Sequence, residues 1–180
     1  MDESTGIFYK SDTSFIDTGT NKDISPQYYY PSPVYPRQAN NLRSFPQANT
    51  LRSFPQGTKN CYTLKPKQGK NSNYLIRAFF QYGNYDSKNQ IPKFDVYVGV
   101  NYWMSMELPD SSYLEFPDFI HVPSSDTILV CLINKGSGIP FISALELRPL
   151  SKSMYPIDSG AQIHSWRYDL GTLSDGEFVR

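Results

Sequence analysis

Short apolar and aromatic stretches, separated by turn residues, fill the middle of the chain. In residues 94–100, Asp95 and Tyr97 fall on one face of a strand and the apolar side chains on the other: Phe94, Val96, Val98 and Val100. A period of two is typical of a strand with one buried face. Similar stretches bounded by turn residues predict six strands, at 60–64, 74–82, 94–100, 114–122, 127–134 and 141–147.

The stretch Thr127–Ile133 is apolar on both faces, which predicts a central strand that is covered on both sides. No segment longer than about ten residues repeats its apolar side chains with the spacing of an amphipathic helix. Helical bundles and wound α/β sheets are therefore disfavoured. We predict an all-β fold, an antiparallel β-sandwich with a jelly-roll-like arrangement.

Prolines are frequent between Ser25 and Pro66, and each removes a backbone donor and restricts the residue before it. We expect this N-terminal stretch to be irregular. It contains a short tandem repeat, Leu42–Gln47 followed by Leu51–Gln56, which is too short for a solenoid. The interpretation we favour is a local duplication that lengthens a surface loop. The alternative is a doubled recognition loop.

Length and charge limit the classes of partner. The 180 residues suffice for one well-cored domain, and the 17 basic side chains balance the 17 acidic ones. No global field therefore favours nucleic acid. No apolar run approaches the roughly 20 residues that span a bilayer, and residues 1–12 lack the apolar core of a signal peptide. The sequence predicts no nucleic-acid partner, no membrane span and no export signal within this chain.

The two cysteines, Cys61 and Cys131, have no C-x-x-C or histidine-rich spacing, so we predict no metal site. Two alternatives remain for them, a disulfide in an oxidising compartment or a pair of buried thiols.

Catalytic residues are hard to nominate. The histidines are His121, within a predicted strand, and His164, and a half-buried strand histidine is more often structural than catalytic. Motifs for a serine hydrolase, a nucleotide or dinucleotide cofactor and a zinc protease are absent. The central carboxylates are too diffuse to predict a glycosidase. We therefore predict that the chain is not an enzyme and takes no cofactor.

The candidate binding residues follow the apolar strand at 75–80. They are aromatic or carry amide and carboxylate groups: Tyr82, Asn84, Tyr85, Asp86, Tyr102 and Trp103. Aromatic faces stack on sugars, while Asn and Asp hydrogen-bond to hydroxyl groups, and the same mixture suits peptides. The competing interpretation is a turn with packed tyrosines, because turns also prefer Asn and Asp.

Several of these segments resemble the malectin-like domain of plant receptor-like kinases, particularly kinases that also carry leucine-rich repeats. The resemblance spans nearly the whole chain. Its most specific parts are 41–46, 57–64, 74–79, 82–86, 94–99 and 140–147. It implies two jelly-roll-like subdomains in tandem at a cell surface, followed by repeats, a membrane span and a cytoplasmic kinase.

On this resemblance, residues 1–149 form a first subdomain without its opening strand, which in the family carries an Asp-Cys-Gly pattern. Residues 150–180 form a linker and the truncated start of a second subdomain. The implied function is a non-catalytic extracellular recognition module that binds a peptide, a co-receptor or a cell-wall carbohydrate. The alternative is a stand-alone carbohydrate-binding module similar to animal malectin.

Animal malectin binds a glucose disaccharide through aromatics and an aspartate, and the resemblance implies that Tyr82 and Tyr85 stand where those aromatics lie. The aspartate has no counterpart, because residues 136–140 read Gly-Ser-Gly-Ile-Pro. Loss of a buried hydroxyl-pairing group would weaken sugar binding by about 1–3 kcal/mol.

Overall fold

The computed structural model describes residues 8–29, 46–153 and 155–164. In these ranges the chain forms twelve strands: β1 (Thr20–Asp23), β2 (Thr50–Ser53), β3 (Lys59–Leu64), β4 (Asn73–Gln81), β5 (Lys93–Val98), β6 (Asn101–Met106), β7 (Leu114–Glu115), β8 (Asp118–Val122), β9 (Ile128–Ser137), β10 (Phe141–Ile142), β11 (Ala144–Leu150) and β12 (Gly160–His164). The helical elements there are short 3₁₀ turns, at Asp12–Ser14, Pro26–Tyr28 and Pro46–Asn49.

The strands form three antiparallel sheets, which confirms the prediction of an all-β antiparallel fold. A four-stranded sheet has the order β3-β9-β5-β6, and a larger sheet has the order β11-β4-β8-β12 with β7 also paired to β4. A third, short sheet has the order β1-β2-β10. Inward side chains of the first two sheets, such as Ile76, Phe80, Val96 and Val130, form one buried apolar cluster, as in a sandwich.

The strand buried on both faces is β4. Ile76 and Phe80 face the main core, whereas Phe79 packs with Ala48 and Leu114 in a second cluster on the other face. The prediction that 127–133 is covered on both sides is wrong in part, because Leu129 of β9 is 38% exposed. β9 is central within its sheet, but its outer face is open to solvent at that position.

Three predicted strands end differently because turn residues interrupt them. Val100, which the alternation placed in the core, is 92% exposed. Gly99 has a φ of +60°, and the chain reverses there into β6, which we did not predict. Pro117, which lacks an N–H group, separates β7 from β8 within 114–122. The stretch 141–147 divides at Ser143 into β10 and β11, which belong to different sheets.

The proline-rich stretch is more regular than expected, because it contains β2 as well as the strand predicted at 60–64, which is β3. Pro46 and Pro55 flank β2 and leave its pairing with β1 intact. The interpretation of the repeat as a surface loop is wrong for the second copy, whose residues 51–54 are all buried. Residues 42–45 of the first copy lie outside the described residues.

β12 lies in the stretch assigned to a linker and a second subdomain, yet it pairs with β8 along its whole length, from Gly160 opposite Val122 to His164 opposite Asp118. The larger sheet therefore extends beyond residue 149. The boundary between the two subdomains remains a prediction.

Candidate functional site

A cleft of about 880 Å³ lies between the short sheet and the β11 end of the larger sheet. Residues 8–15, β1, β2, the end of β3 and residues 142–149 contribute to its walls. Its floor is apolar, formed largely by Leu51, Leu64, Tyr74, Leu145 and Leu147. The volume lies towards the upper end of the range for ligand pockets, which are usually apolar with a few placed polar groups.

A partly buried ion pair lines the cleft. The guanidinium of Arg52, on β2, donates two hydrogen bonds to the carboxylate of Asp12. They run from Nε to Oδ2 at 2.6 Å and from Nη2 to Oδ1 at 2.7 Å. The Tyr62 hydroxyl donates to the same Asp12 Oδ2 at 2.9 Å. The hydrogen bond from Arg52 lowers the pKa of Asp12. The pKa of Tyr62 is raised, mainly because the phenol is buried and secondly because of the negative charge of Asp12. The 3₁₀ turn at 12–14 is thus tied to β2 and β3.

Because the folded-state pKa of Asp12 lies below its unfolded value of about 3.9, its contribution to stability is present above pH ~4. That contribution disappears as pH falls through the folded pKa. We expect Asp12→Asn to lower the free energy of unfolding by about 1–3 kcal/mol at pH 7 and by clearly less at pH 2–3. Urea unfolding at both values measures this. The exposed Asp17→Asn is the control, and an equal cost of Asp12→Asn at both pH values would contradict the assignment.

The rim of the cleft is cationic. Lys22, Lys65 and Lys67 are exposed and line it, and none of them forms an ion pair with another described residue. Lys10 lies over the Phe15 ring, 4.6 Å from its centre, a favourable cation–π position. Within the described residues, the lysines that line the cleft outnumber its one exposed carboxylate without an arginine partner, Asp23.

Glu146, the most deeply buried carboxylate of the cleft wall, is only 3% exposed and forms an ion pair with Arg148. Arg148 donates to its Oε2 from Nε at 3.0 Å and from Nη2, and the Tyr9 hydroxyl donates to Oε1. The carboxylate is charge-paired as buried acids require. It does not cancel the lysines of the rim.

The predicted site at 82–86 forms a closed network. Tyr82 is fully buried, and its hydroxyl donates to Asn84 Oδ1 at 3.3 Å and to Asp86. Its ring packs edge-on against Tyr85, with ring centres 5.6 Å apart, and also contacts Phe141. Burial raises the pKa of both tyrosines. Tyr82 offers no free face to a ligand, so the turn with packed tyrosines describes it well.

The two remaining predicted residues lie on opposite faces of β6. Trp103 is 2% exposed and packs on Phe119, with ring centres 5.3 Å apart. Tyr102 is 49% exposed and packs edge-on against Tyr97 at 5.5 Å. The structure therefore brings Tyr82, Asn84, Tyr85 and Asp86 together, but leaves Tyr102 on the outer face of the four-stranded sheet. The cleft residues were missed because they come from distant segments.

Cys61 and Cys131 lie directly opposite each other on β3 and β9 and are joined by a disulfide. Of the two alternatives for these cysteines, a disulfide or a pair of buried thiols, the structure contains the disulfide. In the described ranges no cluster of His, Cys, Asp and Glu is arranged to hold a metal ion. The helical turns described here are all too short to cross a bilayer. His121 is half-buried on β8, and burial lowers its pKa.

Comparison with protein families matches residues 1–178 to the malectin-like domain. Among curated proteins, the chain is 45% identical to the probable LRR receptor-like serine/threonine-protein kinase At1g05700 of Arabidopsis thaliana, over 96% of this chain and 18% of the kinase. It is 41% identical to the putative leucine-rich repeat receptor-like protein kinase At2g19210 of the same plant, with the same two coverages. The chain thus spans under a fifth of the length of these relatives.

Among solved structures, the ANX1 ectodomain of Arabidopsis thaliana is similar, with a TM-score of 0.62 at 16% identity, over 80% of this chain and 37% of that one. A chain in the crystal structure of plant peptide RALF23 in complex with FER and LLG2 is also similar, with a TM-score of 0.59 at 13% identity, over 81% of this chain and 36% of that one. At such identities the likeness shows the fold. The family match and the fold agree, and the chain belongs to the malectin-like domain family.

Proposed function

We propose that this chain is a non-catalytic, extracellular recognition domain of a receptor-like kinase, and that its cleft binds a polypeptide, either a free peptide or a segment of a co-receptor. The observation that carries the proposal is the cleft itself. It joins an apolar floor, made by Leu51, Leu145 and Leu147, to a rim of lysines that form no ion pair with any residue the structure describes. An apolar centre within a polar, solvent-accessible rim is typical of polypeptide interfaces.

Two further observations support the proposal. The disulfide between Cys61 and Cys131 is typical of proteins in oxidising surroundings, such as a cell surface. A structural neighbour of this chain occurs in a complex that contains a plant peptide, FER and LLG2. The tandem arrangement, with residues 150–180 leading into a second subdomain, belongs to the same proposal.

A second candidate function is carbohydrate binding by a stand-alone module. It is favoured by the partial exposure of Asn84, Tyr85 and Asp86 at the surface of the 82–86 turn. Amide and carboxylate groups beside an aromatic ring suit sugar hydroxyls. Existing hydrogen bonds count against sugar binding at this turn. The Asn84 Oδ1 already accepts a hydrogen bond from the backbone N–H of Asn89 at 2.9 Å, and the Asp86 carboxylate accepts one from the Tyr82 hydroxyl.

A parallel screen of peptides and glycans separates the two candidates. The purified 180-residue chain is offered to a random twelve-residue peptide library on phage and to an array of plant cell-wall glycans. Two variants accompany it: Lys67→Glu, which reverses a charge on the exposed rim, and Tyr85→Ala in the turn. We expect wild type and Tyr85→Ala to enrich related peptides, and Lys67→Glu to lose at least tenfold of that enrichment.

Failure to enrich any peptide sequence would overturn the polypeptide proposal. So would enrichment that Lys67→Glu leaves unchanged while Tyr85→Ala removes it. Glycan binding that disappears in Tyr85→Ala, in the absence of peptide binding, would establish the carbohydrate alternative. Near-ultraviolet circular dichroism of each variant shows that its aromatic core is intact, so that a loss of binding is attributable to the surface.

A further inference from the structure

We propose that the outer face of the four-stranded sheet is a second ligand site, which binds a neutral glycan by stacking a sugar ring on Tyr102. This face is separate from the cleft and from the turn at 82–86. Its residues lie on β3, β5, β6 and β9, all within the unbroken described range 46–153. The inference therefore stands independently of the proposed polypeptide function.

Alternation along the strands decides which side chains reach the outer face. Tyr62, Val96 and Val130 belong to the core cluster, so the residues next to them in each strand point outward. The register places four outward residues in one row across the sheet, in the order Tyr102, Tyr97, Cys131 and Cys61. Because the two cysteines are joined by the disulfide, the row is held by a covalent bond at one end.

The other end of the row is an exposed aromatic ring. Tyr102 is 49% exposed and packs edge-on against Tyr97. Its hydroxyl donates a hydrogen bond to Ser105 Oγ at 3.2 Å. These two contacts orient the ring before a ligand binds, which lowers the entropic cost of stacking. Leu129, two positions before Cys131, is 38% exposed and adds apolar surface to the same face.

A polar network borders the two rings. The Ser105 hydroxyl donates to the Asp95 carboxylate, and Lys135 forms an ion pair with the same carboxylate at 3.1 Å. The hydrogen bond from Ser105 lowers the pKa of Asp95, so this side chain is charged at neutral pH. The network presents a carboxylate acceptor beside an ammonium donor. Neighbouring sugar hydroxyls, each of which donates and accepts, match such a pair.

The charges near Tyr102 favour a neutral ligand. Asp95 is paired with Lys135, and Glu107 is paired with Lys93, so the local field attracts neither an acidic nor a basic ligand. The C–H face of a neutral sugar suits the aromatic ring.

The size of the face favours a small ligand. Strands about 4.8 Å apart and outward residues about 7 Å apart give four strands and three rows an area of roughly 200 Å². A stable protein interface needs about 800 Å² from each partner. The face is therefore better matched to a few sugar rings than to a folded protein.

The test offers the 180-residue chain to three hexasaccharides in isothermal titration calorimetry. Cellohexaose and xylohexaose are neutral, and hexagalacturonate is acidic. We expect at least one neutral sugar to bind, with little change in affinity between low and moderate salt. Tyr102→Ala should weaken binding about tenfold because it removes the stacking ring. Tyr102→Phe, which keeps the ring, should weaken it only about twofold, and Lys135→Ala, at an exposed position, about threefold.

Two variants away from the face serve as controls, Tyr85→Ala in the turn and Lys67→Glu at the cleft, and both should bind the sugar like wild type. Amide chemical shifts should change at residues 95–105 and 129–135. Near-ultraviolet circular dichroism shows that each variant is folded.

Failure of both neutral sugars to bind would overturn the inference, and so would equal binding by wild type, Tyr102→Ala and Lys135→Ala. Preferential binding of hexagalacturonate would contradict the neutral ligand class. Loss of sugar binding in Tyr85→Ala would place the sugar at the turn instead. If Tyr102→Ala abolished the enrichment of phage peptides, the face would be a polypeptide surface and the glycan inference would fall.

Discussion

Replacing Phe45 and Phe54 together by alanine should lower the free energy of unfolding by about 3–5 kcal/mol, the cost of truncating a buried phenylalanine. Replacing Phe54 alone should cost only about 1–3 kcal/mol. The reason is the tandem repeat. Phe54 is fully buried and packs edge-on against Tyr62, with ring centres 6.2 Å apart, and the first copy of the repeat holds an identical residue nine positions earlier.

The duplicated segment extends beyond the motif that first marks it. Residues 38–46 read QANNLRSFP and residues 47–55 read QANTLRSFP, so one position differs, Asn41 against Thr50. The side chains that fix β2 all have counterparts, because Ala48, Leu51, Arg52 and Phe54 are buried and lie in the identical part. The first copy therefore has the side chains needed to take the place of β2 when Phe54 is lost.

The exchange has a moderate cost. The connection to β3 would lengthen by nine residues and that from β1 would shorten by nine, a net loop-closure cost of about 0.5–1 kcal/mol. Asparagine in place of Thr50 reduces strand propensity by less than about 1 kcal/mol. Gly57 has a φ of +75° and its counterpart is Ala48, which adds about 1 kcal/mol if the turn is kept. The sum is smaller than the loss of a phenylalanine.

Guanidinium unfolding of wild type, Phe45→Ala, Phe54→Ala and the double variant completes a double-mutant cycle. Phe45→Ala alone should be nearly neutral, because wild type already uses Phe54. A double variant no less stable than Phe54→Ala would show that β2 is confined to the second copy. Deletion of residues 38–46 is a further control, and the shortened chain should remain as stable as wild type to within about 1 kcal/mol.

Strands whose burial alternates along the chain are predicted well, and β5 is one of them. In β5, Phe94, Val96 and Val98 are buried and Asp95 and Tyr97 are less so, as a period of two requires. β6 was missed because its two buried residues, Trp103 and Met106, are three positions apart. That spacing does not alternate. β2 was missed because two prolines near its ends were taken as evidence against any strand.

The cleft could not be predicted from any local pattern. Its floor combines Leu51, Leu64 and Leu145, which are far apart in the chain and meet only through the pairing of three sheets. The predicted residues Tyr82 and Trp103 have the composition of a binding site, but their large aromatic rings are used in the core. Exposure decides between these roles, and exposure depends on the strands that pack against each ring.

The second large effect concerns the disulfide. Replacing Cys61 and Cys131 together by alanine should lower the free energy of unfolding by about 3–5 kcal/mol. The two cysteines are 70 residues apart in sequence, and bridging a loop of that size stabilises a fold by about 4 kcal/mol through loss of unfolded-state entropy. Guanidinium unfolding of wild type with and without a reducing agent measures the same quantity. The agent should leave the double variant unchanged.

The disulfide should also affect the cleft, because β3 carries Tyr62 and Leu64 into its wall one and three residues after Cys61. β3 is an end strand that pairs only with β9 among the described strands, so without the bond its ends open more readily. We expect reduction to speed amide hydrogen exchange at residues 59–64 and to weaken binding of cleft-selected peptides, with little change in the exchange of β4. Exchange that quickens equally in β3 and β4 would show instead that the bond stabilises the domain as a whole, without a specific role at the cleft.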